Sequence, residues 1–145
     1  LLPTVPAIAG VARIFRSVEA YKRVIEIVDS PSNCLEFCQG TVAEMCSSAQ
    51  EVYDAIRYFG SRGKIAYVHF RNVSSGVPSF EETFIDNGYV DMFQAMRIYH
   101  EVGFPGVLIP DHTPAVAGDT PWGHRGRAYA IGYMKAMLRC ITEGC

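Results

Sequence analysis

Three short apolar runs, each preceded and followed by a stretch of helical periodicity, constrain the fold of this chain more than any other feature. The runs are Leu35–Cys38, 65–70 and Val107–Ile109, and their length and apolar content are typical of buried strands. Apolar residues recur every three or four positions in the four segments around them, which predicts helices. These helices span residues 17–28, 49–59, 90–102 and 127–142.

The alternation of helices and strands indicates an α/β fold with parallel strands. No glycine-rich phosphate fingerprint follows a strand, which disfavours a dinucleotide-binding doubly wound sheet. Instead, each strand ends in, or is closely followed by, a residue whose side chain could bind a metal. This favours a (β/α)8 TIM barrel, because the active sites of such barrels lie at the carboxyl ends of the strands. A complete barrel needs about 250 residues. Residues 1–145 are therefore predicted to be a single partial domain, the C-terminal half of an incomplete barrel, and an opening Leu1 agrees with a fragment.

Glycines and prolines mark the predicted connections between these elements. Residues 1–16 contain two prolines and a glycine and are predicted to be irregular, and 39–41 are predicted to turn the chain away from the first strand. A long loop over 73–88 follows the second strand, and loops of this length are often functional. Its Glu81 and Glu82 either close over a site or are merely solvated.

Cys38, His69 and Asp111 are candidate metal ligands because each lies at the carboxyl end of a predicted strand. They are separated by 31 and 42 residues, one strand and helix repeat each time. Thiolate, imidazole and carboxylate together suit a divalent transition ion such as Mn, Fe, Co or Zn. The alternative is a buried cysteine, a core histidine and a strand-end aspartate that align by chance.

Polar residues beside these three are candidates for proton transfer and substrate binding. His112 follows Asp111 and is a candidate general acid or base; alternatively it hydrogen-bonds the following turn. Arg71 and Asn72 follow His69 and could hold a carboxylate or sugar hydroxyls. The alternative for this pair is a salt bridge or a loop tether.

His124 is a second candidate acid or base, because it lies with two arginines in a glycine-bearing segment before the last helix. The alternative is a contact at the start of that helix. Neither reading is decided by the residues alone.

Composition excludes several classes of partner. The chain has 49% hydrophobic and 19% charged residues, a net charge of -2 and a sequence pI near 6.1, so electrostatics give no reason to expect nucleic acid or an anionic membrane. No apolar run approaches the roughly 20 residues of a membrane helix. The five cysteines form no CxxC pair or dense disulfide framework, which predicts a reducing cytoplasm. A small-molecule substrate is the expected partner.

Six ordered motifs give the sequence a resemblance to the mannonate dehydratase family, whose fold is similar to that of xylose-isomerase-like TIM barrels. They span nearly the whole chain in the family's order. The motifs are Gly10-Val11-Ala12-Arg13-Ile14-Phe15, Phe37-Cys38-Gln39-Gly40-Thr41, Val68-His69-Phe70-Arg71-Asn72, Asp86-Asn87-Gly88 with Asp91-Met92, Pro110-Asp111-His112 and Gly123-His124-Arg125-Gly126.

The resemblance implies a lyase that uses Mn²⁺ or Fe²⁺ to dehydrate D-mannonate to 2-keto-3-deoxy-D-gluconate in hexuronate catabolism. By position, Cys38, His69 and Asp111 look like three of the family's four metal ligands, and His112 looks like a catalytic residue. The fourth ligand is a histidine in a His-Pro-Asp-Asp-Pro-Pro segment that this sequence lacks and that is expected before Leu1. His124 falls at or near the place of a catalytic tyrosine of the family.

Two alternative functions remain open at this stage. A sugar isomerase or epimerase on the same barrel would use the metal to move a proton without losing water. The chain could also be a catalytically inactive half-barrel. The strand edges of such a half-barrel favour association, so a homo-oligomer is one expected state.

Overall fold

The computed structural model describes residues 6–144 as an α/β fold. Its helices and strands alternate along much of the chain. In chain order they are β1 (Ala7–Ile8), β2 (Val11–Ala12), α1 (Val18–Ile27), β3 (Leu35–Cys38), α2 (Gln39–Met45), α3 (Ala49–Gly60), β4 (Ile65–His69), β5 (Asn72–Val73), β6 (Glu82–Thr83), α4 (Met92–Glu101), β7 (Val107–Ile109), α5 (His124–Arg139) and a π-helical turn, Cys140–Gly144.

A three-stranded parallel sheet in the order β3, β4, β7 organises the fold. The register pairs Cys38 with His69 and His69 with Ile109, so the three strands finish side by side. The Phe70 amide extends the last pairing by donating to the Ile109 carbonyl at 2.7 Å. The three predicted strands and their parallel direction are confirmed, and their carboxyl ends form one edge.

The core lies between one face of this sheet and the helices α1, α3 and α4. Phe37 and Val68 are fully buried on the sheet, and the Phe37 ring lies 5.8 Å from that of Phe59 on α3. Burial of a large apolar side chain stabilises a fold by about 1.5–3 kcal/mol. The helices are thereby fixed against the sheet.

Side-chain caps stabilise the first turns of three of the predicted helices. Ser17 accepts a hydrogen bond from the Ala20 amide, Ser48 from Glu51, and Asp91 from Gln94. Each cap satisfies one of the amides that a helix leaves without an internal partner, and is worth about 1 kcal/mol. The predictions of α1, α3 and α4 are confirmed to within two residues at each end.

Two of the predicted connections were wrong. Residues 7–12, predicted to be irregular, form the antiparallel hairpin of β1 and β2, while residues 1–5 lie outside the described part of the chain. Residues 39–41, predicted as a turn, begin α2. That helix persists because Val42 and Ala43 are almost completely buried.

Two further segments also differ from the prediction. The long loop after β4 contains the antiparallel pair β5 and β6. The last helix begins at His124, three residues earlier than predicted, and ends in the π-helical turn. Ile131 and Leu138, which belong to the apolar pattern of this helix, are nevertheless 42% and 44% exposed. Within residues 6–144, no helix is both long and apolar enough to cross a membrane.

Candidate active site

Cys38, His69 and Asp111 meet at the edge where the parallel strands end. Cys38 is the last residue of β3, His69 is the last of β4, and Asp111 follows β7 by two residues. One ligand atom from each lies within 4.8 Å of the other two. The predicted convergence of the three side chains is confirmed.

The backbone of Asp111 turns its carboxylate toward the other two residues. Its φ of +56° lies in the left-handed region, which aspartate tolerates better than most residues. Its carbonyl accepts a hydrogen bond from the Arg127 Nη2 at 2.8 Å. In this conformation Asp111 Oδ2 lies 3.3 Å from His69 Nδ1.

Arg71 is buried beside this cluster and holds two acidic groups. Its Nη2 donates to Glu44 Oε1 at 2.7 Å, and its Nε lies 3.3 Å from Asp111 Oδ2. Burial lowers the pKa of Arg71, but the negative charges of Cys38 and Glu44 raise it more, so the pKa lies above its usual value. Arg71 therefore stays charged between the helix α2 and Asp111.

Two polar groups on β3 and α2 contact the metal-ligand candidates directly. The Thr41 hydroxyl donates to Cys38 Sγ at 3.1 Å, and Glu36 Oε1 lies 3.1 Å from His69 Nδ1. Burial raises the pKa of Glu36; His69 opposes this shift, and Asp111 adds to it. Neither residue was singled out from the sequence. Glu36 could have been found, because it precedes Cys38 by two positions and so shares its face of the strand.

His112 lies between two carboxylates at the edge of the site. Its Nδ1 contacts Glu82 Oε1 from β6, and its Nε2 lies 3.6 Å from Asp111 Oδ1. These residues border a cleft of about 330 Å³. Its lining consists of Glu36, Cys38, Thr41, Glu44, His69, Arg71, Phe80, Glu82, Asp111 and His112.

Asn72 does not line the cleft, although it follows Arg71 directly. Its amide is buried and donates to the carbonyls of Ile85 and Val90 at 3.2 and 2.8 Å. Its Oδ1 accepts from the amides of Val73 and Val90. The structure therefore gives Asn72 the role of a loop tether, which was the alternative to the predicted substrate contact.

His124 is also not among the residues that line the cleft. It is the first residue of α5, and its Nδ1 lies 3.0 Å from the Thr120 hydroxyl. This is a contact at the start of a helix. The structure does not bring His124 into the group formed by the other candidates.

Comparison with known proteins assigns the family. A sequence model described as "D-mannonate dehydratase (UxuA)" matches residues 3–144. The chain belongs to the mannonate dehydratase family. Mannonate dehydratase of Thermotoga petrophila is 35% identical over 143 residues, and mannonate dehydratase 2 of Halalkalibacterium halodurans is 33% identical over 141.

The crystal structure of the mannonate dehydratase from Streptococcus suis serotype 2 is similar to this chain, with a TM-score of 0.85 and 27% sequence identity. The match covers 98% of this chain and 41% of that one. The matches to the Thermotoga and Halalkalibacterium relatives cover 94% and 95% of this chain but 39% of each relative. This chain thus spans about two fifths of the length of these members of the mannonate dehydratase family.

Proposed function

We propose that this chain provides metal-binding and proton-transfer groups of a lyase that dehydrates D-mannonate to 2-keto-3-deoxy-D-gluconate. The observation that carries this proposal is the meeting of Cys38, His69 and Asp111 beside His112 in a chain of the mannonate dehydratase family. The names of the relatives supply the substrate class, a sugar acid. The local chemistry supplies the mechanism.

The donor set suits Mn²⁺ or Fe²⁺. Cys38 offers sulfur, His69 nitrogen and Asp111 oxygen within 4.8 Å of one another, a mixed set that divalent first-row ions accept. The carboxylate of Glu36 borders the same cleft, 3.1 Å from His69, and favours a cation there. When bound, such an ion supplies positive charge that stabilises the negative charge developing on substrate oxygens.

Arg71 is proposed to hold the substrate at one side of the cleft. It is 7% exposed, and its Nη1 is buried with no hydrogen-bond partner among the described residues. A buried donor without a partner is costly, so a carboxylate or hydroxyl oxygen of the substrate would satisfy it. Arg71 is therefore the proposed substrate-binding residue, whereas the side chain of Asn72 is occupied by backbone groups of the following loop.

His112 is proposed to move a proton at its Nε2. Loss of water from a 2,3-dihydroxy acid requires removal of the proton next to the carboxylate and protonation of the departing 3-hydroxyl. A positioned acid or base contributes about 10²- to 10⁴-fold to each such transfer. His112 borders the cleft and is assigned one transfer, whereas the location of His124 gives no support for assigning it the other.

The parallel sheet is proposed to be three strands of a (β/α)8 TIM barrel. Within residues 6–144, β3 and β7 each pair on one side only, and the likeness to the Streptococcus suis chain covers almost all of this one. Barrel closure would pair those edges. A reducing cytoplasm is the compartment that we propose, since it keeps a Cys38 thiolate available as a ligand.

Product analysis tests the proposed reaction. The protein, expressed from its complete reading frame and loaded with Mn²⁺, is incubated with D-mannonate, and the product is identified by mass spectrometry. We expect the product to be a 3-deoxy 2-keto acid. Its formation should stop when the metal is removed by a chelator and resume when Mn²⁺ is added back. A product that retains every oxygen atom of D-mannonate would show that the reaction is isomerisation or epimerisation instead of dehydration. The absence of any turnover would also contradict the proposal.

A further inference from the structure

The hairpin of β5 and β6 places Glu82 over the cleft. Its register pairs Asn72 with Thr83 and Val73 with Glu82, so the hairpin leaves β4 directly after Arg71 and returns toward the site. The Ser74 amide donates to the Glu81 carbonyl, and the Glu81 amide donates to the Ser74 hydroxyl, each at 2.9 Å. The position of Glu82 is therefore set by backbone pairing.

The buried amide of Asn72 fixes this hairpin to the chain that follows it. Three hydrogen bonds of the Asn72 side chain join β5 to the carbonyls of Ile85 and Val90 and to the Val90 amide. Gly88 packs so closely against Asn72 that a Cβ on Gly88 would lie 2.2 Å from the side-chain Cγ. These contacts hold the backbone on both sides of Glu82 beside the cleft.

Glu82 contacts two of the proposed functional residues through the same oxygen. Its Oε1 contacts His112 Nδ1 and lies 3.9 Å from Arg71 Nη1. An ionised carboxylate can only accept hydrogen bonds, so a neutral His112 ring bonded to it has its proton on Nδ1. The other ring nitrogen, Nε2, then has a free lone pair beside Asp111.

We propose that Glu82 is the positioning residue that selects the Nδ1-protonated form of His112 and directs its Nε2 into the cleft. The proposal rests on the proposed function for its role in turnover. A carboxylate that orients a catalytic imidazole in this way has a known chemical purpose, because it fixes both the tautomer and the ring plane. Glu82 is not itself expected to touch the reacting atoms.

The matched variants are Glu82→Ala, Glu82→Gln and Glu81→Ala, all in the protein expressed from its complete reading frame. Glu81 directly precedes Glu82 and is also exposed, but it does not line the cleft. Glu82→Gln keeps an acceptor oxygen, and the nearby Arg71 donor favours the orientation in which that oxygen faces His112. Glu82→Ala removes the acceptor.

Steady-state kinetics on D-mannonate give the first readout. Glu82→Ala is expected to lower kcat by about 10- to 100-fold, with KM changed less than about threefold and Mn²⁺ content unchanged. Glu82→Gln is expected to recover most of that kcat, and Glu81→Ala to match the wild type. A wild-type kcat in Glu82→Ala would overturn the proposal. So would a decrease in kcat that is fully accounted for by a lower Mn²⁺ content.

The tautomer of His112 gives a second readout that needs no turnover. Nitrogen-15 NMR is recorded on protein loaded with diamagnetic Zn²⁺, at a pH well above the ordinary imidazole pKa of about 6.5, with His112→Gln used for assignment. We expect a proton on Nδ1 in the wild type and a shift toward protonated Nε2 in Glu82→Ala. A wild type protonated on Nε2 would overturn the inference. If D-mannonate is not dehydrated at all, the proposed function fails while this spectrum still decides the role of Glu82.

Discussion

Gly40 and Arg71 are in direct contact: a Cβ built on Gly40 would lie 2.5 Å from Cγ, Cζ and Nη1 of Arg71. Gly40 is the second residue of α2 and is buried. The missing side chain leaves the space in which the guanidinium reaches Glu44 and Asp111. The glycine is thus explained by a close approach between a helix and a functional side chain.

Gly40→Ala is expected to destabilise the fold and to displace Arg71. Overpacking of this kind typically costs about 1–3 kcal/mol. Gly132→Ala is the matched control, because a Cβ on Gly132 in α5 would meet nothing within 4 Å, and alanine in a helix is favoured over glycine by about 0.5–1 kcal/mol. Chemical denaturation should therefore show opposite signs for the two variants. Equal effects would contradict the role given to Gly40.

Glu44→Gln tests the buried ion pair with Arg71. The two side chains are 3% and 7% exposed and lie 2.7 Å apart, and removing one partner of a buried pair costs about 3–5 kcal/mol. Asp54→Asn, which breaks the exposed pair of Asp54 with Arg57 at 3.6 Å, should cost less than about 1 kcal/mol. The free energy of unfolding measures both. A Glu44→Gln variant as stable as Asp54→Asn would show that the buried pair does not hold Arg71.

Asn72→Ala is expected to loosen the hairpin that positions Glu82. It leaves buried backbone groups of Ile85 and Val90 without their partner, at a cost of about 1–3 kcal/mol for each group left unsatisfied. Amide hydrogen exchange should accelerate over residues 82–90. Asn87→Ala is the control, since Asn87 is exposed and should change stability by less than about 0.5 kcal/mol. Unchanged exchange in Asn72→Ala would refute the tether.

Cys46 should resist alkylation in the folded chain. It is 4% exposed, and burial, with smaller contributions from Glu51 and Glu19, raises its pKa to about 12. The thiolate is the reactive form, so iodoacetamide near neutral pH should label Cys34, which is partly exposed, well before Cys46. Peptide mass spectrometry measures the two rates, and equal labelling would contradict the burial of Cys46.

The same shift gives a pH dependence of stability with a defined sign. Because the folded-state pKa of Cys46 is raised, its neutral thiol stabilises the fold fully below the unfolded-state value of about 8.5. That contribution is lost as the pH rises through about 12. Cys46→Ala should reduce this part of the alkaline loss of stability, measured by denaturation across the same pH range.

The sheet and the convergence of the metal-ligand candidates could be predicted because they depend on regular patterns. Apolar runs and helical periodicity located β3, β4 and β7 and the helices between them. Parallel strands place their carboxyl ends at one edge, so Cys38, His69 and Asp111 had to approach one another once the strands were correct.

The surroundings of these residues could not be predicted in the same way. Helix α2 has only seven residues, too few for a clear period, and its glycine resembled a turn signal, so the contact of Glu44 with Arg71 was missed. Arg71 and Asn72 are adjacent in the sequence, but only Arg71 lines the cleft, whereas the Asn72 side chain is buried and hydrogen-bonded to the loop that follows. The approach of Glu82 to His112 spans 30 residues and depends on a two-residue strand pairing that leaves no periodic signal.

Mn²⁺ binding is the most direct test of the central claim that Cys38, His69 and Asp111 form a metal centre. Electron paramagnetic resonance of free Mn²⁺ measures how much of the ion the protein removes from solution, with Cys38→Ala compared against Cys34→Ala in the protein expressed from its complete reading frame. The structure predicts one Mn²⁺ per chain, wild-type affinity for Cys34→Ala and an affinity at least about 10-fold weaker for Cys38→Ala. Wild-type Mn²⁺ affinity in Cys38→Ala would contradict the account.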